Sequence, residues 1–212
     1  MLIIGAKGFA KEILQSLDNK LLEPLAFYDD VNKDIPEKLY GCYPVLKKEA
    51  DVLNYFHNVS DKFCLGLGNP QLRLKLFKKF DELGGTLVST IDKATNIGKY
   101  AKIGGGTNIL SGVNISNGAE LGKGCLVYYN VVITHDVKIG EFVELSPACK
   151  LLGHVNIGNY VSVGAGAIIL PKVQIDEGAV IGAGAIVTKD VAANSVVVGN
   201  PAKPLKQRKG GK

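Results

Sequence analysis

His135 and Asp136 stand side by side in a chain of 212 residues that carries three histidines in all. An imidazole beside a carboxylate is well placed to act as a general base near neutral pH. The carboxylate orients the ring and favours its protonated form once a proton has been taken. An outward-facing histidine is also an ordinary surface residue, so the elements around the pair must decide between the two readings. Just upstream lies an apolar and aromatic outer cluster, Leu126, Tyr128, Tyr129 and Val132. Exposed apolar patches of this kind usually mark an interface, which would set the imidazole in a cleft between subunits.

The pair sits inside a strict repeat. From Ile91 to Val187 every sixth residue is Ile, Leu or Val, without insertion or deletion. Four residues after each comes a second register of small or β-branched side chains, Thr95 and Ala101 at its start, Ala185 and Val191 at its end. A fixed period marks a solenoid, whose repeats bury apolar residues only by stacking. An α-helix would carry a six-residue stripe around its axis, so short strands joined by tight turns are predicted. The two registers share the strand parity that points inward. Gly98, Gly104, Gly122, Gly140, Gly158, Gly164 and Gly182 follow the aliphatic residue, where a corner is expected to need a permissive backbone.

This repeat resembles that of the hexapeptide-repeat acyltransferases, whose left-handed parallel β-helix has triangular coils of three hexads. The resemblance implies five to six coils here and stacks residues 18 positions apart. His135 then occupies an outward third hexad position with Gly153 above it, which leaves open space and an approachable amide over the imidazole. His154 lies one coil plus one residue beyond His135. Cys125 and Cys149 occupy inward positions four hexads apart, unstacked, and read as small core residues.

Residues 1–85 follow another pattern. A strand Leu2–Ile4, a turn Gly5-Ala6-Lys7-Gly8 and an amphipathic helix Phe9–Leu17 come first. Leu25–Tyr28 is a second strand ending in Asp29-Asp30, and Phe63–Leu67 a third. Gly68-Asn69-Pro70 then opens a helix to about Leu83, with Pro70 at its permitted first position, and Leu87–Ser89 is a last short strand. Alternating strands and helices predict a small parallel α/β, Rossmann-like unit. A Gly-rich turn opening a helix suits a phosphate, and acidic residues after the second strand suit a ribose or base. The fingerprint is Gly-x-x-Gly, which supports a nicotinamide cofactor poorly. Gly5–Gly8 also reads as a plain strand-to-helix turn, Asp29 and Asp30 as turn caps. Asn69 and Arg73 read equally as a helix start and a solvated helix face. Their convergence at one sheet edge favours a nucleotide or sugar-phosphate pocket.

Three segments are expected: 1–85 as the Rossmann-like binding domain, 86–195 as the β-helix, and 196–212 as a C-terminal cap and basic tail. The net charge of +5 is mild and lies partly in Lys203, Lys206, Arg208, Lys209 and Lys212. Such a tail is solvated or touches a cofactor phosphate. Nothing in the composition calls for nucleic acid, no apolar run is long enough to span a bilayer, and no signal peptide precedes the first strand. Four cysteines without a Cys-x-x-Cys pair predict a reduced cytoplasm.

Thr134–Phe142, Leu151–Gly158 and Val197–Lys203 resemble one branch of the hexapeptide transferases: bacterial nucleotide-sugar N-acetyltransferases and sialic-acid O-acetyltransferase-like proteins. Gly5–Gly8, Phe27–Asp30 and Gly68–Pro70 with Arg73 extend the likeness to the N-terminal unit. It implies a homotrimer with acetyl-CoA in the groove between prisms, in surface-glycan or glycoprotein sugar biosynthesis, and no metal. His135 would take the acceptor's proton, Asp136 would orient the ring, and the Gly153 amide would contact the thioester carbonyl. Gly153, Ala165, Ala183, Gly199 and Lys203 would line the CoA path. Gly5, Ala6, Lys7, Gly8, Asp29, Asp30, Asn69 and Arg73 would hold the nucleotide-linked amino sugar. Some relatives carry Asn where this chain has Tyr128, and often His where it has Glu144. Both positions lie near acceptor or cofactor, so O-acetylation of a sialic-acid-like sugar stands as an alternative. A zinc carbonic anhydrase would need three ligands, usually His, for which His135 and His154 are poorly spaced. A non-catalytic nucleotide-binding solenoid is the remaining alternative.

Overall fold

The computed structural model describes residues 1–17 and 24–205. The N-terminal unit runs β1 (Leu2–Ile4), α1 (Gly8–Ser16), β2 (Ala26–Tyr28), β3 (Lys38–Leu39), β4 (Tyr43–Leu46), α2 (Glu49–Asn58), β5 (Lys62–Leu65), α3 (Pro70–Glu82) and β6 (Thr86–Leu87). Its sheet has the order β3-β4-β2-β1-β5-β6, parallel throughout except for β3 against β4. Leu2, Ile3 and Ile4 are buried on both faces, as a central parallel strand requires. The β3–β4 hairpin and α2 go beyond the sequence reading. Pro44 breaks the strand pattern of β4, and α2 buries only Val52 and Tyr55, so neither announces itself by periodicity.

From Thr90–Ile91 (β7) to Ile186–Val187 (β23) the chain forms two-residue strands, each ending on one of the six-residue aliphatic positions. Every strand from β7 to β20 (Ile168–Ile169) pairs in parallel with the strand three further on, as Asn108–Ile109 (β10) does with Leu126–Val127 (β13). The result is three sheets, and so a prism of triangular section. The first sheet contains β13 and β16 (Glu144–Leu145), and ends in β24 (Val196–Val198) and β25 (Lys203–Pro204). The second contains β14 (Val132–Ile133) and β17 (Lys150–Leu151), and the third β15 (Lys138–Ile139). From Ile109 onward both predicted inward registers fill the interior, with Val127, Ile133, Leu145 and Leu151 fully buried. The first coil departs from the expectation, with Ile91 exposed and Ile97 and Ile103 half-buried at the open end of the prism. The last coil is two residues short: Val180 pairs with Val196, and Val191 bridges Ile175.

The corners correct one expectation. The glycines after each aliphatic residue have no left-handed φ; that conformation recurs two residues later, at Gly124, Asn130, Asp136, Phe142 and onward. A Cβ at Gly104 would lie 2.5 Å from the Gly122 carbonyl carbon of the next coil. Close coil-to-coil approach, not φ, is what demands glycine there.

The N-terminal unit packs on the first sheet. Phe9 meets Tyr128 with ring centroids 5.1 Å apart, and Phe77 meets Phe142 at 5.8 Å. Leu110 and Leu126 are fully buried in the same seam. The apolar patch around Leu126, Tyr128 and Tyr129 is therefore covered by the chain's own α1. This corrects its reading as the wall of a subunit cleft.

Candidate active site

His135 and Asp136 occupy the corner between β14 and β15, where the second and third sheets meet. Asp136 takes the left-handed position (φ 58°), which turns its carboxylate back along the corner. His135 Nδ1 lies 2.9 Å from Asp136 Oδ2. With its proton on Nδ1, the ring donates to the carboxylate and keeps a lone pair on Nε2. Gly153 stacks on His135 as the coil period predicts. The space above it is not open, however: a Cβ there would lie 2.6 Å from Cε1 and 2.7 Å from Nε2 of the imidazole. The ring therefore leans over bare Gly153 backbone.

His154, absent from the sequence-derived site, completes the cluster. It lies one coil above Asp136, its Nε2 3.9 Å from the same carboxylate oxygen. Its ring meets His135 at 5.1 Å between centroids and 84° between planes. The stacking rule carried this signal, because it sets residue 154 on residue 136. One ligand atom from each imidazole and one from the carboxylate lie within 4.8 Å of one another, a loose cluster with two histidines where the carbonic anhydrase chemistry would need three ligands, usually His. All three side chains are exposed, and no third imidazole joins them among the described residues.

The predicted cofactor positions form a separate ladder. Ala165 and Ala183 are exposed on the corner between the first and second sheets, and the shortened last coil brings Gly199 above Ala183. Gly199 (φ 97°) begins the β24–β25 turn that leads to exposed Lys203. One chain thus does not bring Ala165, Ala183, Gly199 and Lys203 together with His135. The remaining tail cations, Lys206, Arg208, Lys209 and Lys212, lie outside the described residues.

At the N-terminal sheet edge, Gly5, Tyr28, Asp29, Asp30 and Asn32 line a cleft of about 230 Å³ with Leu67 and Leu72. Gly5 is obligatory: its φ is 104°, and a Cβ would meet the Gly66 carbonyl oxygen at 2.8 Å. Ala6, Lys7 and Gly8 face a neighbouring hollow of about 340 Å³, and Lys7 pairs with Asp34 at 3.1 Å. No side chain caps the start of α1, so its first amides stay available to an anion. Asp29 is buried, and its carboxylate accepts from the backbone of Val31 and Asn32 and from the Asn32 amide. It shapes the turn. Asp30 accepts from the Tyr28 hydroxyl at 2.9 Å.

Of the two predicted nucleotide contacts beside α3, Asn69 is exposed and Arg73 needs correction. Asn69 also caps α3, its Oδ1 accepting from the Leu72 amide at 2.9 Å. Arg73 is fully buried and donates to the carbonyls of Leu65, Leu67, Gly124 and Cys125 and to Asn108 Oδ1. It ties α3 to the solenoid and has no donor left for a ligand. Burial lowers its pKa to about 10, which leaves it charged at neutral pH. Glu144 lies half-buried beneath Gly68, where burial raises its carboxyl pKa against the opposing pull of Arg73. Tyr128 is half-buried against Phe9, at the far end of β14 from His135.

None of the three buried cysteines offers a ready thiolate. Burial pushes the Cys125 thiol up to about 11, and those of Cys64 and Cys149 up to about 12. All four cysteines are free. No helix among the described residues is long and apolar enough to cross a membrane.

A family model described as the PglD N-terminal domain matches residues 1–80, and one described as bacterial transferase hexapeptide (six repeats) matches residues 154–189. Comparison with curated proteins gives no match. Among solved structures, a mutant of perosamine N-acetyltransferase from Caulobacter crescentus, in complex with CoA and GDP-perosamine, is 27% identical with a TM-score of 0.89, over 97% of this chain and 96% of that one. WeeI from Acinetobacter baumannii AYE is 29% identical, with a TM-score of 0.87 over 96% and 98%. The acetyltransferase domain of PglB from Neisseria gonorrhoeae FA1090 is 27% identical, with a TM-score of 0.85 over 96% and 98%. The expected fold stands: an α/β unit followed by parallel hexapeptide-repeat sheets, consistent with the left-handed β-helix.

Proposed function

We propose that this chain, a hexapeptide-repeat protein homologous to nucleotide-sugar N-acetyltransferases, transfers the acetyl group of acetyl-CoA to the amine of a nucleotide-linked amino sugar. The observation that carries the reading is the His135–Asp136 pair, with Nδ1 held at 2.9 Å and Nε2 free beside the Gly153 backbone. His135 Nε2 takes a proton from the acceptor nitrogen as that nitrogen attacks the thioester carbonyl. Asp136 keeps the ring in the tautomer that can accept it. The Gly153 amide faces the developing oxyanion. The C–S bond then breaks, and the proton passes from His135 to the departing CoA sulfur.

The assembly is a homotrimer whose active sites form between copies. Two placements support this. The N-terminal unit covers the first sheet, whereas His135 lies on the corner opposite it. The ladder of Ala165, Ala183 and Gly199 climbs yet another corner. CoA lying between two prisms would touch that ladder on one copy and Gly153 on the next. The acceptor's nucleotide would sit at Gly5–Gly8 and Asp30, on the copy that supplies the ladder, with Tyr128 and Glu144 near the sugar. Lys203 is placed to meet a CoA phosphate. Four free cysteines support the expected reducing, cytoplasmic compartment.

Release of free CoA thiol across a panel of nucleotide amino sugars tests the reading, with product analysis separating amide from ester. His135→Ala is expected to lower turnover by about 10²–10⁴-fold while leaving fold and assembly intact. Undiminished turnover in that variant would overturn the mechanism.

A further inference from the structure

We propose that His154 is a positioning residue for the base. Its ring, together with bare Gly153, forms the seat that holds the His135 imidazole with Nε2 toward the groove. The proposal rests on the acetyl-transfer reading above, in which His135 is the proton acceptor.

The coil period creates the seat. Residue 154 stacks on Asp136, and both take the left-handed corner conformation, at φ 61° and 58°. Residue 153 stacks on His135 and has no side chain, so the imidazole leans into the space a Cβ would fill. That lean brings it against His154, edge to face, at 5.1 Å and 84°. Asp136 Oδ2 holds Nδ1 at 2.9 Å on another side, and His154 Nε2 lies 3.9 Å from the same oxygen. The His135 ring is thus met by backbone, by a carboxylate and by a second ring.

His135 needs such a seat because its side chain is mostly exposed, at 61%. An exposed imidazole with one hydrogen bond still exchanges between rotamers and turns Nε2 away for part of the time. Catalysis by a base depends on how often the nitrogen points at the proton. An aromatic pair at this geometry biases the rotamer equilibrium by about two- to tenfold. His154 is itself exposed, so removing its ring leaves no cavity in the core.

The test compares His154→Ala and His154→Phe with the parent chain as assembled. His154→Ala is expected to lower kcat about two- to tenfold with KM for both substrates unchanged. His154→Phe restores the ring without a titrating nitrogen and is expected to recover most of that loss. An unchanged kcat in His154→Ala, or a Phe variant as slow as the Ala variant, overturns the proposal. An independent readout needs no turnover: nitrogen-15 spectra of His135 at about pH 8, where imidazole is neutral. The parent is expected to show one tautomer with the proton on Nδ1, and His154→Ala a mixture. Identical spectra in the two proteins also overturn the proposal. A parent that transfers no acetyl group yet shows these spectral differences would sink the acetyl-transfer reading and leave the seat standing.

Discussion

The His135 imidazole is useful only because residue 153 has no side chain. Gly153→Ala would place a Cβ 2.6 Å from Cε1 and 2.7 Å from Nε2, so the ring must move. A misplacement near 1 Å costs on the order of 10²-fold in rate, and that loss of kcat with normal folding is the expected outcome in steady-state kinetics. Arg73 shows the opposite case, a residue whose charge suggested a ligand and whose burial forbids one. Arg73→Ala strips six hydrogen bonds and strands buried carbonyls of Leu65, Leu67 and Gly124. It is expected to cost about 3 kcal/mol or more of stability in urea unfolding. A variant of full stability with weakened nucleotide binding would restore the ligand reading.

The elements divide the labour at the seam between α3 and the first sheet. There β16 carries Glu144 under Gly68, where burial raises its carboxyl pKa. A carboxyl whose folded pKa is raised contributes most below its unfolded value and loses that contribution as pH rises through the folded value. Glu144→Gln is therefore expected to match the parent near about pH 4 and to gain stability over it toward about pH 7. Denaturation across that range checks the sign; a gap that ignores pH would refute it. The same scale explains which elements could be read in advance. Each solenoid strand from β10 (Asn108–Ile109) to β23 buries one large aliphatic side chain, worth about 1.5–3 kcal/mol, so the register is written plainly into the chain. The β3–β4 hairpin and α2 bury little and follow no period, so the sequence hides them.

Over the whole molecule, the N-terminal unit and the base lie on opposite sides of one prism. In the proposed assembly, a site needing both would take them from two copies. Gly8 opens α1 with nothing within 4 Å of its absent Cβ, so Gly8→Glu should fold while repelling a phosphate at the uncapped helix start. Co-assembled with His135→Ala, which lacks the base, it is expected to regain part of the activity that either variant lacks alone. Under the proposed trimeric assembly, mixed trimers would contain some sites with both functional halves. Failure of mixing to restore any turnover would place the whole site within one chain.

The stacking of Gly153 on His135 was foreseeable through the 18-residue coil that the family resemblance implies, and the sequence by itself determined the solenoid, its inward registers and the turn that opens α1. Those follow from a strict period and from local backbone chemistry, which neighbouring residues suffice to specify. Only the tertiary structure decided that Arg73 is a strut and that Tyr128 lies beneath α1. Each depends on surfaces far apart in the chain meeting face to face. Charge and polarity in a sequence cannot tell whether such a residue will be left to solvent or enclosed by another element.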